Sequence, residues 1–253
     1  MSLVVEDTGD GFPVVLLHGL GGTSNTWQPL MSVLGNVRAI RPDMPGSGRS
    51  ALGQGRLSIA AMADAVIGWL SGKDIDRFHL AGHSMGTLVC QQIASRLPEQ
   101  VQAMVLFGAL TEPPEAAREG LLERAGAARR DGMAGIADQI AQNTLAPTTH
   151  NDNPAAVAFV RESILRQPPE GYGASCEALS DAQVADWRKI TAPTLLVTGE
   201  SDPVAPVSMA RLLSEKIKGA RLEILPRCGH WTPLEKPKEC AGLLQGFLAQ
   251  HKI

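Results

Sequence analysis

Aromatic residues are scarce: five Phe, four Trp and one Tyr in 253 residues. That is too few for the stacking platforms that read single-stranded nucleic acid. Charge of one sign is also lacking. The formal net charge is −3, so nothing draws the chain as a whole to a phosphate backbone or an anionic lipid surface. No apolar run nears the roughly 20 residues of a membrane span; Val14–Leu17 and Ala103–Phe107 are typical. Cys90, Cys176, Cys228 and Cys240 are scattered, with no Cys-x-x-Cys pair, which argues against a disulfide framework or a zinc site and for reduced, buried thiols. The first residues lack a basic start, an apolar stretch and a small-residue cleavage site, so a cytoplasmic location is expected. There is no internal repeat, low-complexity tract or linker. What is present is 44% apolar residues, enough for a substantial core.

The first half of the chain alternates short β-like runs with helical patterns. Strands are expected at Pro13–Leu17, Val37–Ile40, Arg77–Ala81 and Ala103–Phe107. Ser58 is a natural N-cap for the apolar periodicity that ends near Gly72, and a second helix should run from Met85 to about Arg96, before Pro98. After the 111–186 stretch, strands Thr194–Thr198 and Arg221–Leu225 alternate with helices Ser208–Lys218 and Lys238–His251. This order specifies an α/β fold with a doubly wound, mostly parallel sheet. Residues 111–186 break the rhythm with three amphipathic helices, at Glu115–Arg130, Gly135–Ala146 and Pro154–Arg166. The expected organisation is a core of residues 1–110 and 187–253 with a helical cap, 111–186, inserted over the carboxyl ends of the strands, where ligands bind in such sheets.

The strongest chemical signal is Gly82-His83-Ser84-Met85-Gly86, between a strand and a helix. A one-residue turn from strand to helix strains the backbone at Ser84 and leaves no room for side chains two positions away. The serine hydroxyl is then held up, exposed, at a helix N-terminus that can stabilise an anion. Alone, the five residues could equally be a glycine-flanked cap; the strand–turn–helix context favours a nucleophile.

A serine needs a base and an orienting acid. Asp202 lies just past the strand Thr194–Thr198, and His230 just past Arg221–Leu225, giving the chain order Ser, Asp, His. Glu200 is the rival acid, but it sits nearer its strand. His18, His79, His83, His150 and His251 read as structural or surface. His18-Gly19-Leu20-Gly21-Gly22 follows the first core strand. Its glycines do not complete a dinucleotide fingerprint or a P-loop. It reads instead as an oxyanion loop, with backbone N–H groups of Leu20 and Met85 as the two donors. Val204 and Trp231, beside the acid and the base, are candidates for substrate contact or for core packing.

With His18–Gly22, Asp43-Met44-Pro45-Gly46-Ser47-Gly48-Arg49-Ser50, the Ser84 elbow, Asp202 and Gly229-His230 in this order, the chain resembles the α/β-hydrolase fold superfamily over essentially its whole length. Gly171–Leu179 looks like a segment of 3-oxoadipate enol-lactonases and related esterases. Pro45 and Ser47 depart from the Asp-x-Arg-Gly-His-Gly pattern usual there. Dehalogenases and epoxide hydrolases of the superfamily carry Asp at the elbow, unlike Ser84; perhydrolases and carbon–carbon bond hydrolases share the serine. The resemblance implies a carboxylic ester hydrolase working through an acyl-enzyme, or a lactonase, on a small molecule, with no metal or organic cofactor. A ligand receptor that merely keeps the triad is the non-enzymatic alternative.

The 111–186 stretch holds twelve acidic residues and six arginines: Arg118, Arg124, Arg129, Arg130, Arg161 and Arg166. Such a cap should present a mildly negative mouth and favour small neutral acyl esters, provided all six arginines lie on solvated helix faces. One inward arginine would reverse that expectation.

Overall fold

A computed structural model describes residues 2–251. The strands are β1 (Val5–Thr8), β2 (Phe12–Leu17), β3 (Val37–Pro42), β4 (Phe78–His83), β5 (Val101–Phe107), β6 (Thr194–Gly199) and β7 (Arg221–Leu225). They form one sheet in the order β1-β3-β2-β4-β5-β6-β7. Only β1 runs antiparallel, against β3; the other pairings are parallel. All six residues of both β4 and β6 are buried, as expected where helices cover both faces.

The pleat sorts the side chains of β2. Val15 and Leu17 face a cluster containing Val89 and Ile93, while Val14 and Leu16 face another containing Leu244 and Phe247. Truncating such a fully buried leucine to Ala costs about 2–5 kcal/mol.

Strand β1 has no counterpart in the apolar pattern. It is an edge strand whose Glu6, Asp7 and Thr8 form no apolar run. It is fastened by Arg38–Asp7 (2.8 Å) and Arg49–Glu6 (2.7 Å) ion pairs.

The helices are α1 (Gln28–Met31), α2 (Ile59–Ser71), α3 (Met85–Arg96), α4 (Glu115–Asp131), α5 (Ala134–Asn143), α6 (Pro147–Asp152), α7 (Pro154–Leu165), α8 (Pro169–Ser180), α9 (Val207–Lys216), α10 (Thr232–Glu235) and α11 (Pro237–Ala249). The Ser58 hydroxyl caps α2 by accepting from the Ala61 N–H at 3.0 Å. Helices α4–α8 all fall between β5 and β6, and no described residue of 111–186 pairs in the sheet.

Where the sequence suggests three helices in this insertion, the structure has five. The break at Ala146–Pro147 separates α6 from α5. Helix α8 is hidden in the sequence by Gly171 and Gly173, poor helix formers. They are small because α8 packs tightly: a Cβ on Gly171 would lie 1.9 Å from the Gly46 carbonyl oxygen. Close packing overrides the local propensity.

Candidate active site

Ser84 lies between β4 and α3, as the N-cap of α3, with φ 52° and ψ −122°, a conformation costing on the order of 1–3 kcal/mol outside glycine. Neighbours hold it. Its N–H donates to the Phe107 carbonyl (3.0 Å), and the Thr87 N–H (2.8 Å) and hydroxyl (2.6 Å) both donate to its own carbonyl. A Cβ on Gly82 would meet the Gly86 oxygen at 2.7 Å, and one on Gly86 the Leu17 oxygen at 2.3 Å. The glycines therefore permit the turn by close backbone approach. The serine side chain is less open than its position in the motif suggests. Ser84 is only 6% exposed, and it borders a cavity that residues of the 111–186 insertion also line.

The Ser84 hydroxyl donates to His230 Nε2 at 2.8 Å. His230 Nδ1 lies 2.9 and 3.0 Å from the two Asp202 oxygens. Asp202 also accepts from the Val204 and Ala205 N–H groups, both at 2.8 Å. Burial alone would raise its pKa. The His230 charge, the His230 hydrogen bond and the two backbone donors outweigh that and hold it below its ordinary value. An ionised Asp202 can only accept, so Nδ1 carries the proton and Nε2 is free to take one from Ser84. Glu200 is turned away and accepts from the Arg227 N–H at 3.2 Å.

The glycine loop after β2 lies against the serine; a Cβ on Gly19 would be 2.7 Å from that of Ser84. His18 sets the loop's orientation. Its Nε2 accepts from the Met44 N–H at 2.9 Å, so its Nδ1 carries the proton and donates to the Gly19 carbonyl at 2.8 Å. Gly22 N–H donates to the same oxygen at 3.0 Å. In a trans peptide the N–H points opposite the carbonyl, so the two bonds fix the direction of the Leu20 N–H. Met85 opens α3, where main-chain N–H groups lack intrahelical partners; its side chain is buried in the core.

Ser84, His230 and Leu20 border a cavity of about 260 Å³ under the insertion. Val204, 41% exposed, stands at its rim, and Trp231, 2% exposed, is part of its wall. Trp231 is both lining and packing, for its indole N–H donates to the Thr144 hydroxyl at 3.0 Å. His83 is buried beneath His230 and donates from Nε2 to the His230 carbonyl at 2.9 Å. Burial, and then the His230 charge, push the His83 pKa down to about 3, so it is a neutral support.

Three supporting groups are not apparent from the sequence. Glu235 is buried and accepts from the N–H groups of Gly229 (3.0 Å), Trp231 (3.0 Å) and Ala146 (2.9 Å) and from the Thr149 hydroxyl (2.6 Å). Gln167, also buried, donates to the carbonyls of Gly21 (3.1 Å) and Gly22 (3.2 Å). The His230 N–H donates to the Thr144 carbonyl at 2.8 Å. Only Glu235 leaves a trace in the sequence, as a lone carboxylate after Thr232-Pro233-Leu234. Arg124 is a further departure: it lines the cavity rather than lying on the solvated face expected for the insertion's arginines. Its neighbours on one face of α4, Ala117, Gly120 and Leu121, line it too.

All four cysteines are free and buried. Among the described residues no group of three or more His, Cys, Asp or Glu side chains could hold a metal ion, and no helix is long and apolar enough to cross a membrane.

A family model described as the alpha/beta hydrolase fold matches residues 13–237. The chain is 29% identical to a 2-hydroxymuconate semialdehyde hydrolase of Pseudomonas putida, over 97% of this chain and 90% of that one. It spans 64% of the length of another curated relative. Among solved structures it superposes on a thermophilic esterase from Thermogutta terrifontis with a TM-score of 0.93 at 26% identity, covering 99% and 94% of the two chains. The enol-lactonase from Burkholderia xenovorans LB400 gives 0.90 at 26%, covering 98% and 96%.

Proposed function

Because the chain belongs to the α/β-hydrolase fold family, we propose that it is a serine hydrolase cleaving small carboxylic esters through an acyl-enzyme. The observation that carries this reading is the continuous hydrogen-bonded series from Ser84 through His230 to Asp202 at a cavity wall. In this reading His230 takes the Ser84 proton as the oxygen attacks the acyl carbon. The Leu20 and Met85 N–H groups hold the oxyanion of the tetrahedral intermediate. His230 then returns the proton to the leaving alcohol, and Asp202 stabilises the imidazolium without itself being protonated. Water repeats the sequence on the acyl-enzyme. The insertion acts as a cap that shapes the acyl pocket.

A lactone is the second reading, because the same steps apply when the leaving alcohol stays tethered to the acyl group; the likeness to an enol-lactonase supports it. Carbon–carbon hydrolysis, the reading suggested by the 2-hydroxymuconate semialdehyde hydrolase relative, would use the same serine on an aldehyde or ketone carbonyl with a carbon leaving group. Turnover of short-chain esters and of lactones, compared between the protein and its Ser84→Ala variant, tests the proposal. Serine-dependent release of acid is expected. Ester turnover that survives in Ser84→Ala within tenfold would remove the proposal, and no turnover at all would favour a ligand receptor.

A further inference from the structure

The insertion's arginines differ in one respect. Arg118, Arg129, Arg130, Arg161 and Arg166 each have a carboxylate within 4.0 Å: Glu112, Glu170 and Glu177, Asp131, Asp138, and Glu162 respectively. Arg124 has none among the described residues. It is half-buried and borders the same cavity as Ser84 and His230. No Asp or Glu side chain lines that cavity, and Asp202 is engaged by His230 behind it. The rest of the lining is mostly aliphatic, with Leu110, Leu121, Ile140 and Leu179 among its walls. Beside Gly120, where an added Cβ would meet nothing within 4 Å, the wall is open.

A half-buried guanidinium at a mostly apolar wall, with no carboxylate of the described residues beside it, is free to pair with an anion that enters the cavity. Two polar neighbours that feel its charge are neutral. The Tyr172 hydroxyl and Cys176 thiol lie within its field, yet burial keeps the pKa of both raised, that of Cys176 to about 12, so neither supplies a negative charge. The insertion's net negative charge does not change this local balance, since its carboxylates lie outside the cavity lining and several are tied up in the pairs above.

Resting on the serine-hydrolase reading for the bond that is cleaved, we propose that Arg124 anchors a free carboxylate on the substrate. The preferred substrates are then short half-esters of dicarboxylic acids, or lactones carrying a carboxylate. The apolar wall takes the connecting methylenes, the guanidinium binds the far carboxylate through charge-assisted hydrogen bonds, and the near acyl carbon is delivered to Ser84. Arginine suits this task because its planar fork matches a carboxylate in a way a lysine does not.

The test compares methyl butyrate with the monomethyl esters of succinate, glutarate and adipate, followed by acid release. It uses the wild type, Arg124→Gln, Arg124→Lys and, as a control outside the cavity, Arg130→Gln. For at least one spacer length the half-ester should exceed methyl butyrate in kcat/KM by tenfold or more, chiefly through KM. That ratio should collapse to near one in Arg124→Gln, recover in part in Arg124→Lys, and persist in Arg130→Gln. Calorimetric titration of free succinate and glutarate reads the anchor apart from catalysis. Binding to wild type that is lost in Arg124→Gln supports the anchor even if every ester is inert, which would instead count against the hydrolase reading. A preference for methyl butyrate in the wild type, or a half-ester preference or dicarboxylate binding that survives Arg124→Gln, would overturn the proposal.

Discussion

Ser84, Asp202 and His230 owe their meeting to very local chemistry. A glycine-flanked turn forces the serine to φ 52°, and two loops at the ends of adjacent parallel strands carry the acid and the base. Each of these features has a sequence signature, so the trio is legible without coordinates. Arg124 is not, because helical spacing gives the face of a helix but not which face meets a cavity. On the proposed mechanism, Ser84→Ala lowers ester kcat/KM on the order of 10⁵–10⁶-fold while the melting temperature stays unchanged within a degree or so, since one buried oxygen is removed from an otherwise intact turn. Asp202→Asn costs about 10⁴-fold by presenting the wrong imidazole tautomer, whereas Glu200→Gln, whose side chain accepts from the Arg227 N–H, stays within a few-fold. Kinetics of the two carboxylate variants side by side check the assignment; a reversed order would make Glu200 the acid.

Among the elements, the insertion both lines the cavity and holds the loops beside it. Thr144, Ala146 and Thr149 hold the His230 loop, two of them through Glu235, while Ser163 donates to the Gly21 carbonyl at 2.8 Å and Gln167 to those of Gly21 and Gly22. The glycine loop after β2 and the His230 loop are thus both tied to the insertion. Strands and long amphipathic helices could be read from periodicity, but these ties could not, because they run between residues up to 146 positions apart and end on backbone groups that every residue has. Edge strand β1 and glycine-bearing α8 were likewise invisible, being defined by pairing and packing rather than by pattern. Glu235→Gln replaces one accepting oxygen by an N–H₂ amid N–H donors. It should destabilise the fold by about 2 kcal/mol or more and lower kcat at the same time, as denaturant melts and steady-state kinetics would show. A variant with full stability and activity would mean the carboxylate is dispensable.

The whole molecule is a mostly parallel sheet whose strand ends bring Ser84, Asp202 and His230 together beside a cavity bordered by helices. Burying neutral histidines in such a frame gives it an acid weakness. His83 takes up a proton below about pH 6.5 when unfolded but only near pH 3 when folded, and His18, also buried, is shifted in the same direction by burial. Between those values the unfolded chain binds more protons, so stability is lost as pH falls, by about 1.4 kcal/mol per pH unit for each histidine fully within its window. Urea midpoints at pH 7, 6 and 5 should decline, and more shallowly in His83→Gln; equal slopes would contradict the role given to that burial. Treating the protein with a fluorophosphonate and mapping the adduct by tandem mass spectrometry tests whether Ser84 is a nucleophile activated by His230. One phosphonate per chain is expected, on Ser84, formed in step with loss of ester turnover; an unlabelled Ser84, or full labelling with turnover intact, would exclude a nucleophilic role for Ser84.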